Sequence, residues 1–120
     1  MRFLNKGFTL LELMVATAIL VFVITGLLAT LVYCILLNET NNNLVIAAND
    51  AQYVLEQMKT LAYDELDDYA PQQFTNLPNE TIADPQVNEI KSGIKEITLN
   101  VSWLERKRQR NFSLSSRVSR

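Results

Sequence analysis

From Phe8 to Leu37 the chain is apolar or small at almost every position, and Glu12 is the only charge in that stretch. A run longer than about 18 apolar residues reads as a membrane span. A helix that is apolar all round would otherwise need the core of a large protein around it. A chain of 120 residues offers one small domain at most, too little to cover such a helix. After Asn38 the composition becomes polar and ordinary. Arg2 and Lys6 flank the run on its N-terminal side, and the next basic residue is Lys59. That asymmetry predicts a single pass with the N-terminus in the cytoplasm and everything after Leu37 across the membrane.

The residue inventory narrows the function. There is no His, so the commonest general base and metal ligand is missing. Cys34 is the only cysteine, which leaves no intrachain disulfide, and within an apolar run its thiol behaves as a small hydrophobe. No enzymatic activity, metal or cofactor is expected. Glu12 is the exception to the apolar pattern. An ionisable group in a membrane helix is costly and marks a functional site by default. The competing account is an acid at the interface that snorkels to water.

An ordinary secretory signal has a shorter apolar stretch and a small-residue cleavage site. Ala16-Thr17-Ala18 fits such a site, but Ile19-Leu20-Val21-Phe22-Val23 continues the apolar run directly after it. Lys6-Gly7-Phe8-Thr9-Leu10-Leu11-Glu12 offers a better account. It resembles the processing motif of type IV prepilins and type II secretion pseudopilins: a basic leader, Gly, an aromatic residue, and an acid five positions after the Gly. The resemblance continues through Leu13-Met14-Val15-Ala16. It implies cleavage between Gly7 and Phe8 by a prepilin peptidase, N-methylation of Phe8, and pairing of Glu12 with the N-terminal amine of a neighbouring subunit. A Gly before the bond lets the backbone lie extended in a protease cleft without a side-chain clash.

Past the span, Ala47, Ala51, Val54, Leu55, Met58, Leu61 and Ala62 recur at steps of three and four, an amphipathic helical stripe. The pattern predicts a near-continuous helix from about Thr9 to Ala62 or Leu66, softened at Asn41-Asn42-Asn43 because Asn favours caps and turns. The acids of Asp64-Glu65-Leu66-Asp67-Asp68 and the following Pro71 end it. From Gln72 to Glu89 the chain reads as loop or short edge strand, with Ile82 in a weak first strand. Ile97, Leu99, Val101 and Trp103 then alternate with polar residues, as do Phe112, Leu114 and Val118, a half-buried strand pattern. Leu104 to Arg110 is expected to connect the two strands as a basic loop holding Arg106, Lys107, Arg108 and Arg110.

The predicted fold is therefore α+β, a long N-terminal helix packed on a small antiparallel sheet. Its parts are a leader (1–7), a transmembrane and assembly helix (8–37), an amphipathic continuation (38–70) and a small β region (71–120) with a hairpin at about 94–118. Acids dominate Glu39 to Glu89 and bases dominate Lys91 to Arg120. Such blocks are usually solvated faces, and the alternative is complementarity between neighbouring subunits. The four cations of the connecting loop without interleaved aromatics make a weak nucleic-acid footprint, so DNA is kept as a lesser alternative partner.

The strand series Ile97-Thr98-Leu99-Asn100-Val101-Ser102-Trp103 with Phe112-Ser113-Leu114 resembles the PilV-type, or type IV pilus modification, group of minor pilins. It is less similar to the I-type minor pseudopilin of type II secretion. The resemblance implies a subunit of a filament's initiating or tip complex, with prepilin peptidase, other pilin or pseudopilin subunits and the inner membrane as partners. It also implies an inner-membrane precursor that leaves for a periplasmic or extracellular filament. A competence-pilus subunit that binds DNA is the remaining alternative.

Overall fold

Three threonine hydroxyls show how the apolar stretch stays helical without unpaired polar groups. In the computed structural model, which describes residues 7–120, Thr17 Oγ1 donates to the carbonyls of Leu13 and Met14 at 3.0 and 2.9 Å. Thr25 and Thr30 donate to Val21 and Gly26 at 2.7 and 2.9 Å. Each hydroxyl is thus satisfied by the preceding turn, which an apolar surrounding demands. These residues lie in the long helix α1 (Leu10–Lys59). The chain divides into two units, Met1–Asn38 and Glu39–Arg120. In the first, every described residue is exposed.

The second unit is a small α+β head. It contains the rest of α1, a 3₁₀ turn (Tyr63–Asp68) and strands β1 (Thr81–Ile82), β2 (Gln86–Lys91), β3 (Ile94–Glu105) and β4 (Arg108–Ser119). Ala47, Ala51, Val54, Leu55 and Met58 are the buried stripe of the helix. They join Leu66, Leu77, Ile82 and the inward residues of β3, Ile97, Leu99, Val101 and Trp103, in one core. β3 is the central strand. It pairs antiparallel with β4 over its full length, and on its other edge with β2 and then β1. Val101 faces Phe112 and Leu99 faces Leu114 across the β3–β4 ladder. Because β4 has β3 on one side only, its inward Phe112, Leu114 and Val118 are half-buried where those of β3 are buried.

The loop from Tyr69 to Glu80 is pinned instead of free. Tyr69 donates its hydroxyl to Gln57 Oε1 at 2.9 Å, and Phe74 meets Tyr53 edge-on at 5.8 Å. The Gln73 amide donates to the Ile82 carbonyl and accepts the Ile82 N–H, both at 2.9 Å, so a side chain continues the bonding of β1.

Two expectations are corrected and one is met. The helix stops at Lys59, short of Ala62 or Leu66. There the backbone tightens to i→i−3 bonds at Thr60 and Leu61, and Thr60 Oγ1 takes the Gln57 carbonyl at 2.7 Å; Ala62 is already extended and exposed. As expected, α1 runs on through Asn41, Asn42 and Asn43, and the Asn43 amide bonds to Glu105 of the sheet instead of competing for its own backbone. The basic connection is only Arg106-Lys107, and Arg108 and Arg110 belong to β4. Both turn residues have positive φ, 47° and 64°, the geometry of a two-residue turn whose twist matches the paired strands. Asn and Gly favour that geometry, so Arg and Lys there gave no sign of it in the sequence.

Trp103 is the only tryptophan and is buried, so its emission reports unfolding of the head. Leu99→Ala, at a fully buried site, is expected to cost about 2–5 kcal/mol, whereas the exposed Ser115→Ala should stay within about 0.5 kcal/mol. Urea titration of the detergent-solubilised full chain measures both. Equal midpoints would contradict the core assigned to β3.

Candidate functional site

The start of α1 is built by a reciprocal pair of bonds. The Glu12 N–H donates to Thr9 Oγ1 at 3.2 Å, and the Thr9 N–H donates to Glu12 Oε2 at 3.3 Å. Thr9 is the N-cap and Glu12 the third helical residue, so the two form a capping box. The Thr9 hydroxyl also lies 3.4 Å from the same Oε2. The carboxylate sits in the first turn, where the helix dipole favours negative charge. Among the described residues nothing donates to Glu12 Oε1. The Thr9-Leu10-Leu11-Glu12 spacing spells this box, so its signal was present in the sequence; the reading of Glu12 as an intersubunit charge did not include it.

Phe8 is 86% exposed immediately before the cap. At Gly7 an added Cβ would meet nothing within 4 Å among the described residues, so no packing contact with them calls for glycine there. Arg2 and Lys6, the expected leader charges, lie outside the described residues.

The head carries two polar clamps that the sequence reading did not find. Both lie on the inward face of β3, in phase with its apolar residues. Lys95 begins that face: its Nζ donates to Asp67 at 2.7 Å and to the Tyr63 carbonyl at 2.9 Å, and stands 4.4 Å from the centre of the Tyr63 ring. The bond to Asp67 raises the Lys95 pKa against the opposing effect of desolvation. Glu105 ends the face, 4% exposed. It accepts from Asn43 Nδ2 at 2.9 Å, Arg110 Nε at 3.2 Å and Thr40 Oγ1 at 3.3 Å. The Asn43 bond holds its carboxyl below the usual carboxylate range, with Arg110 and Thr40 acting in the same direction and burial opposing them.

Of the four cations assigned to the connecting loop, Arg106 Nη2 meets Glu39 at 2.8 Å and Arg110 meets Glu105. Lys107 and Arg108 form no ion pair among the described residues. The acidic and basic blocks of the sequence partly neutralise each other within the chain, through Lys95–Asp67 and Arg106–Glu39.

Residues 2–33 match the family model described as the prokaryotic N-terminal methylation motif. The match supports a type IV pilin-like or pseudopilin subunit, a class of structural proteins processed by prepilin peptidase and assembled with other pilin subunits. The apolar N-terminal helix, long enough to cross a membrane, fits a membrane-anchored precursor of that class. No curated protein and no solved structure matches the chain.

The lowered Glu105 pKa has a definite sign in the stability of the head. The unfolded chain takes up this proton first as pH falls. The stabilisation is therefore complete above the ordinary glutamate value of about 4.3 and is lost as pH drops through the lowered folded value. Acid titration of Trp103 emission should show destabilisation below about pH 5 that is smaller in Glu105→Gln. An identical acid dependence in the variant would remove Glu105 from the account.

Proposed function

We propose that the chain is a minor pilin-like structural subunit of a type IV pilus. On this reading prepilin peptidase cuts between Gly7 and Phe8, Phe8 is N-methylated, and the subunit assembles through its N-terminal helix in a filament's initiating or tip complex. The observation that carries the proposal is the junction itself. A glycine that packing against the described residues does not require, followed by an exposed Phe8, precedes a capped apolar helix, all within the segment that matches the methylation motif.

Glu12 has a role on each side of the cut. Its Oε2 caps the helix, while Oε1 accepts from none of the described residues and would take a neighbour's donor. Cleavage creates a Phe8 amine on every copy, and a neighbour's amine is a donor of the required charge. In a low-dielectric assembly an unpaired carboxylate is strongly disfavoured, so the pair would fix register as well as affinity.

The same junction serves an I-type minor pseudopilin of a type II secretion system, which stands as the second reading. The Ile97–Trp103 strand series favours the pilus. Neighbouring genes separate the two: a retraction motor and major pilin, or the components of a secretion channel. A DNA-binding competence subunit is supported less, since Arg106 and Arg110 are engaged by acids of the same chain.

The capping box gives the test its control. Gln at position 12 still completes a capping box but lacks the charge, whereas Thr9→Ala weakens the cap by about 1 kcal/mol and keeps the charge. Glu12→Gln is expected to reduce incorporation into the filament at least about tenfold, consistent with loss of one partner from a buried pair; Thr9→Ala should have much the smaller effect. Quantitative immunoblotting of sheared filaments measures both. Normal incorporation of Glu12→Gln would refute the assembly role.

A further inference from the structure

The inward phase of β4 does not stop at its apolar residues. Phe112, Leu114 and Val118 pack against the core, and the same alternation runs back through Arg110 to Arg108. Across the ladder these two arginines face Trp103 and Glu105, the last inward residues of β3. Both are exposed, so they mark where the covered part of the sheet ends. There Glu105, Arg106, Arg108 and Arg110 line a recess of about 300 Å³.

The lining is held from behind. Glu105 is 4% exposed and stands opposite Arg108 in the ladder, yet its bond goes to Arg110 Nε at 3.2 Å. Thr40 and Asn43 fix that carboxylate in turn. A guanidinium bonded through Nε keeps two Nη groups for other acceptors, and none of the described residues takes those of Arg110. Arg106 is set by Glu39 at 2.8 Å. Arg108 forms no ion pair among the described residues. Arg106, Lys107, Arg108 and Arg110 thus meet two acids, Glu39 and Glu105, and a double positive charge is left over.

This lining selects its occupant. A carboxylate is satisfied by a single guanidinium fork. A phosphate group presents three acceptor oxygens and up to two negative charges, so it can accept from Arg108 and Arg110 together and match the excess charge. We propose that the recess is a phosphate-binding site, with the Arg108 guanidinium and the Arg110 Nη groups as its donors. The site is built wholly within the head. It is independent of the membrane anchor and of the filament the subunit joins.

The test uses the ¹⁵N-labelled full chain in maltoside micelles, which contain no phosphate. Inorganic phosphate is added at constant ionic strength while the arginine Nε–H resonances are followed by NMR. Those of Arg108 and Arg110 are expected to shift saturably with a Kd of about 1 mM, the size a few charge-assisted bonds provide. Chloride should give no saturable shift, and acetate should bind at least about tenfold more weakly. Arg108→Gln alters an exposed side chain, so Trp103 emission should report an intact head while phosphate affinity falls about tenfold. Arg108→Lys restores the charge without the fork and should recover only part of that loss. Arg117→Gln with Arg120→Gln, at the other end of the hairpin, should leave the affinity unchanged. Equal binding of glycerol 3-phosphate supports a site for phosphate monoesters, and binding of the free ion alone supports a site for inorganic phosphate. A shift that does not saturate, equal affinity for acetate, or an Arg108→Gln variant that titrates like the parent chain overturns the site.

Discussion

An apolar helical stretch exposed from Leu10 to Leu37 has to be covered by something outside its own unit, and that requirement sets the terms for the rest of the chain. Lipid would cover it in a membrane-anchored precursor, and other subunits would cover it in the proposed filament. Both environments exclude water, so both demand that polar groups on the helix be paired. Thr17, Thr25 and Thr30 meet the demand within their own turns. Glu12 meets it with one oxygen, through the cap. On the proposed reading its other oxygen accepts a neighbour's Phe8 amine, a group that exists only after the proposed cut.

The head solves a different problem, that of fixing one sheet on one helix with a small core. β3 supplies most of the answer. Its inward face is apolar from Ile97 to Trp103 and ends in Lys95 on one side and Glu105 on the other. A shift of register by one residue would turn every one of these side chains outward. The clamps add a second condition, because Glu105 must meet Asn43 while Lys95 meets Asp67. A buried charge without its partner is costly, so the pairs penalise misplacement more than they add affinity. They also fix the hairpin end beside Glu39, which sets the position of the basic turn.

Much of this was legible in the sequence, and the exceptions have physical causes. The apolar run, the Ala47–Met58 stripe and the two alternating strands follow from side-chain periodicity, which is a direct record of burial. The hairpin connection was misjudged because Arg and Lys carry no propensity for positive φ, so only the pairing of β3 with β4 reveals that the turn is two residues long. The Asn cluster looked like a weak point because helix propensity treats each residue alone, whereas Asn43 is held by a bond to a residue far along the chain. β2 was hard to see because it is short, mostly exposed and irregular between Glu89 and Lys91. The clamps could have been found: Lys95 and Glu105 share the odd-numbered phase of Ile97, Leu99, Val101 and Trp103.

The mature N-terminus tests the proposed cut between Gly7 and Phe8 directly. Intact-mass and peptide mass spectrometry of the chain recovered from membranes of cells that contain a prepilin peptidase should find a species that begins at Phe8 and carries one methyl group on its amine. A species that begins at Met1, or one cut after Ala18, would contradict the account.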